Sequence, residues 1–141
     1  MNASNVYANL DRFTKQFIET LLWSSTDDDG DPLDQNFSVS DIATEAMEKI
    51  IRDCDAFQAE HGAAIDAAEG EVRYGPDCGD TRERAGHDFA LTRNGHGAGF
   101  WDGDWPEALG ETLTDASKKF GEMNPYIGDD GMIYVYVSQP Y

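Results

Sequence analysis

Basic residues are scarce in this chain: 10 Lys and Arg stand against 28 Asp and Glu in 141 residues, a formal net charge of −18. A protein that binds nucleic acid directly needs a basic footprint to displace phosphate counterions, so direct nucleic-acid binding is not expected. Cysteine is scarcer still. Cys54 and Cys78 are too few for a disulfide framework and have no CxxC spacing, which leads us to expect two reduced thiols and no structural zinc. No apolar run reaches the ~18 residues of a membrane helix. The first residues are polar, so the expectation is neither a membrane span nor a secretory signal, and a soluble, intracellular protein. Catalytic signatures are missing as well: there is no HExxH, HxH or GxSxG, and Cys54 falls on an apolar helical stripe. We therefore assign no catalytic residue and expect no metal ion or cofactor.

What the chain has in place of these is acid. Thirteen carboxylates lie between Asp27 and Glu69 against only Lys49 and Arg52, so the imbalance is local as well as global. The run Asp27-Asp28-Asp29-Gly30-Asp31 resembles a calcium loop, but the register fails. With Gly30 at the sixth position, Ser25 occupies the first and Asn36 the twelfth, where a carboxylate and a bidentate Glu belong. Asp41, Glu45, Glu48 and Asp55 recur at helical spacing, broken only by Arg52. Each step of one turn separates them by about 5 to 6 Å, close to the spacing of successive phosphates on a nucleic-acid strand. The row reads first as the solvated face of an amphipathic helix, and in the alternative as a phosphate imitation.

The length suits one domain, burying roughly two thirds of its unfolded surface. Tyr7, Leu10, Phe13, Phe17, Leu21 and Leu22 predict a first helix over 5–23, followed by an acidic loop over 24–38. Ser38 or Ser40 caps a second helix over 40–60, Ser38 and Asp41 making a capping box. Its apolar stripe is Ala43, Met47, Ile50, Cys54 and Phe57, and His61-Gly62 reads as its stop, although the alanines beyond allow another turn or two. Residues 70–85 read as a long irregular connection whose Arg73, Arg82 and Arg84 are either mobile or folded back onto the acidic helix. Asp104 and Glu107 cap a third helix, with Pro106 in its first turn, a buried side of Ala108, Leu109, Leu113, Ala116 and Phe120, and Gly121 as terminator. A hairpin then joins Tyr126-Ile127-Gly128 to Met132–Val137 through Asp129-Asp130-Gly131. Its aliphatic residues are expected to face the helices and its tyrosines, with Tyr141, the other side.

Residues 86–105 hold two of the three histidines, two of the three tryptophans and five of the fourteen glycines. Phe89 and Leu91 alternate with polar or small neighbours and Asn94-Gly95 tolerates positive φ, which predicts a second hairpin with Gly97 and Gly99 on its return arm. The expected architecture is therefore α+β: an antiparallel sheet of two hairpins, about four strands, covered on one face by about three helices. His87, Arg93, His96, Trp101, Asp102 and Trp105 then line a candidate pocket for a small molecule or a metal. In the alternative they are structural, with Arg93 and Asp102 as a cross-strand ion pair.

Leu22-Trp23-Ser24-Ser25-Thr26-Asp27-Asp28, the central string from Gly86 through Asp102 and Gly128-Asp129-Asp130-Gly131 together resemble a family of small proteins encoded by tailed bacteriophages. The likeness covers most of the chain outside Gly70 to Ala85, and it brings no catalytic residue to carry over. It implies phage origin and the host cytoplasm as the place of action. Joined to the acidity, it makes the leading expectation an inhibitor that occupies the basic surface of a host nucleic-acid-binding protein. The contacts expected are Asp27, Asp28, Asp29, Asp31, Asp41, Glu45, Glu48 and Asp55. The alternative is a small-molecule or metal-binding module at the 86–105 hairpin, with or without enzymatic activity.

Overall fold

The computed structural model describes residues 3–72, 79–96 and 98–138. Among these the elements run α1 (Ala3–Ala8), α2 (Arg12–Ser24), α3 (Leu33–Asn36), a 3-10 turn (Val39–Asp41), α4 (Thr44–Ala67), α5 (Thr81–Arg93), α6 (Glu107–Lys118), β1 (Met123–Ile127) and β2 (Ile133–Val137). Helix and strand are mixed, but among the described residues there is one two-stranded antiparallel sheet, not about four strands in two hairpins. Arg73, Cys78, Gly97 and Tyr141 lie outside the described residues.

The first predicted helix is divided. Asp11 adopts an extended conformation and its side chain accepts the Thr14 N–H at 2.8 Å, so an N-cap begins α2 where the apolar spacing alone would run straight through. Phe13, Phe17 and Ile18 are fully buried behind it, while Tyr7 and Leu10 only flank the core. The Ser38–Asp41 box forms, with the Ser38 N–H on Asp41 Oδ2 at 2.8 Å, but it closes the 3-10 turn and not the long helix. Ile42 and Ala43 stay extended because they dock on the sheet: the Ala43 N–H reaches the Ile133 carbonyl at 2.9 Å. The long helix then starts at Thr44 and continues past His61-Gly62 to Ala67. Gly62 does not end it. A Cβ there would sit 2.8 Å from Arg82 Nη2, so the missing side chain makes room for the guanidinium that bonds to Asp66 at 2.7 and 2.9 Å. Arg82 thus folds back onto α4.

The largest departure is α5. Residues 81–85, expected to be irregular, and 86–93, expected to be a strand, form one helix. Its start is a box in which Asp80 accepts the Glu83 N–H at 2.8 Å and Glu83 faces the Asp80 N–H at 3.4 Å. Its end uses Asn94-Gly95 in another way than a hairpin would. Gly95 takes φ +70°, its N–H bonds to the Thr92 carbonyl, and the His96 N–H bonds back to the Leu91 carbonyl, which is a Schellman closure. Gly86 marks where α5 meets α2, since a Cβ there would lie 2.1 Å from the Phe13 carbonyl oxygen.

On α6 the N-cap is Pro106, which makes no side-chain cap, in place of Asp104. The buried side is Gly110, Leu113, Thr114 and Ser117, turned from the one expected; of the five residues predicted there only Leu113 is fully buried. Gly110 and the small hydroxyl residues allow that turn, because the helix backbone comes against the Phe100 carbonyl at a distance no Cβ would tolerate. The final hairpin forms around the predicted turn, but its first strand begins at Met123 and not at Tyr126, in a register that includes Tyr126↔Tyr134 and Ile127↔Ile133. Ile133 and Val135 are buried against the helices, and Tyr126 and Tyr136 are exposed on the other side.

Candidate functional site

The predicted pocket residues do not converge. Arg93 enters the core, where its side chain is fully buried and its guanidinium carbon lies 5.2, 5.5 and 6.0 Å from the rings of Phe89, Phe120 and Phe17. Its Nε donates to the Gly121 carbonyl at 2.8 Å and its Nη2 to that of Phe120 at 3.1 Å, so it closes the C-terminal end of α6. Its ion-pair partner is Asp53 of α4, with Nη1 to Oδ2 at 3.1 Å, in place of the expected Asp102. Burial pushes the Arg93 pKa down from its usual value, and Asp53 pulls it back towards the charged form.

His87 faces α2. Its Nδ1 is 2.8 Å from Thr20 Oγ1, its ring lies against Trp23 at 6.0 Å, and burial followed by the Arg84 charge lowers its pKa below 6.5. Asp102 stays in its own loop, accepting the Gly99 and Asp104 N–H groups at 3.3 and 3.4 Å. Trp105 is buried and donates Nε1–H to Asp88 at 2.6 Å. His96 contributes its backbone to the end of α5. Among the described residues no three His, Cys, Asp or Glu side chains converge on a point that would hold a metal ion. Cys54 is free and buried, and burial raises its pKa well above 9.0.

Trp101 and Trp105 do border an open cleft of about 1010 Å³, whose other wall is α6 with Glu107, Glu111 and Asp115. Sequence reasoning passed over this second carboxylate row, although its four-residue spacing is as regular as that on α4.

Of the expected acidic contacts, Glu45, Glu48 and Asp55 are exposed on α4, and among the described residues none of them is in an ion pair. Asp41 precedes that helix and is engaged in its turn. Glu45 borders a depression shared with Asp129, Asp130, Tyr126 and Tyr134, so the acidic face extends onto the hairpin. There the Tyr134 hydroxyl donates to Asp130 at 2.6 Å, which raises the tyrosine pKa to about 12 and lowers that of the carboxyl. In the loop, Asp27 accepts the N–H groups of Asp29 and Asp31 at 2.9 and 3.0 Å and shapes the turn, while Asp28 and Asp29 are exposed. Comparisons of the chain with protein-family models, with curated proteins and with solved structures found no match.

Proposed function

We propose that this is an acidic, phage-encoded accessory protein that acts in the host cytoplasm, where it binds the basic surface of a nucleic-acid-binding host factor and inhibits it. The observation that carries the reading is the run of exposed carboxylates on α4, Glu45, Glu48 and Asp55, none of them in an ion pair among the described residues, continued by Asp129 and Asp130 beside Glu45. A row of fixed negative charge on a rigid helix steers a basic partner and competes with the phosphates it would otherwise hold.

The test is purification of the partner from host lysate with the chain as bait, followed by displacement of labelled nucleic acid from that partner. The wild-type chain is expected to displace the nucleic acid, and a folded Glu45→Lys, Glu48→Lys variant is expected not to. Equal displacement by both proteins would refute the assignment to this face.

A further inference from the structure

We infer that the cleft between the 100–106 loop and α6 binds the cationic side chains, arginine above all, of a basic protein segment. Glu107, Glu111 and Asp115 lie four residues apart on one side of α6, all exposed, and Glu71 from beyond α4 adds a fourth carboxylate to the lining. None of the four is in an ion pair among the described residues, and the lining contains no Lys or Arg. Like charges one turn apart repel each other, and an arriving cation relieves all the pairs together.

Charge is not the only feature of the cleft. Trp101 stands in it 55 % exposed, a face on which a guanidinium stacks. Thr114, in the α6 wall, is 9 % exposed and its Oγ1 has no hydrogen-bond partner. A buried hydroxyl left without a partner is unfavourable, and it lies in the wall that an arriving guanidinium would touch. A hard divalent cation would need several oxygens converging on one point, whereas these carboxylates are strung along about 12 Å of helix. That length exceeds one guanidinium and matches two or more cationic side chains on one segment, so the occupant is a stretch of protein chain and not a free ion.

The test is a fluorescence-anisotropy titration of the full chain with a labelled hexa-arginine peptide and with the same peptide built from citrulline, which keeps the shape and removes the charge. The arginine peptide is expected to bind and the citrulline peptide not. Glu107→Gln with Glu111→Gln is expected to weaken binding by about tenfold or more, and Trp101→Ala by several-fold, as loss of a central contact does. Glu45→Gln with Glu48→Gln removes the same charge from α4 and is expected to change affinity little. Circular dichroism confirms that each variant is folded. Equal weakening by the two double variants would reduce the effect to net charge and overturn the assignment, as would binding of the citrulline peptide or unchanged binding by Trp101→Ala. The peptide reads this cleft whether or not the α4 face inhibits a nucleic-acid-binding partner, so the two proposals fail separately.

Discussion

At the scale of single residues the centre of the protein is an ion pair inside an aromatic shell. Arg93 and Asp53 are 1 % and 7 % exposed, and the Gly121 and Phe120 carbonyls just beyond α6 accept from Nε and Nη2 of the guanidinium. Removing one member of such a pair leaves the other charge buried, so Arg93→Met is expected to cost about 3 to 5 kcal/mol, read as a fall in denaturant midpoint. Arg52 Nε also lies 3.4 Å from Asp53 Oδ1, and a loss below about 1 kcal/mol would show that this exposed arginine suffices to hold the carboxylate. His87 supplies a pH test. Its folded pKa lies below the ordinary 6.5, so below pH 6.5 the unfolded chain takes up more protons and stability falls with falling pH. The melting temperature is therefore expected to decline from about pH 6.5 downwards, and His87→Gln to remove the upper part of that decline. An identical profile in the variant would contradict the burial of this ring against Trp23. None of this was legible in the sequence, because Arg93 and Asp53 are 40 positions apart and nothing local shows that a charge is buried.

At the scale of elements, the aliphatic stripe of α4 and the β1–β2 hairpin were legible, since each has a strong period and a clear turn. The error at α5 has a specific origin. Phe89-Ala90-Leu91 fits strand alternation over a few residues, but Ala85, Gly86, Phe89, Ala90 and Arg93 fit a helical face, and Asp80 with Glu83 is a capping signature that settles the matter. Asn94-Gly95 supplied the positive φ that both structures require. Two glycines test the helical account. Gly86→Ala places a methyl against the Phe13 carbonyl, a backbone atom that cannot turn away, and Gly99→Val meets Thr92 Oγ1 at 2.3 Å with φ +156°. Each is expected to cost about 1 to 3 kcal/mol or more, measured by thermal or urea unfolding. A neutral Gly86→Ala would mean that α2 and α5 do not make this close approach.

At the scale of the whole molecule the dominant quantity is charge. Net charge was plain from composition, but the surfaces it forms were not. The α4 row is joined to the hairpin carboxylates by tertiary structure, and the α6 row faces a tryptophan contributed by the preceding loop. Asp41 and Asp27 belong to the same composition yet serve turns. Exposed charges more than about 10 Å apart are largely screened at 0.1 M salt, so binding through such a face must weaken as ionic strength rises. The most direct measurement is the affinity of the captured host partner for the wild-type chain and for the folded Glu45→Lys, Glu48→Lys variant across a salt series. The account predicts a steep loss of wild-type affinity with salt and a variant at least about tenfold weaker at low salt. Affinity that is independent of salt and equal in the two proteins would contradict it.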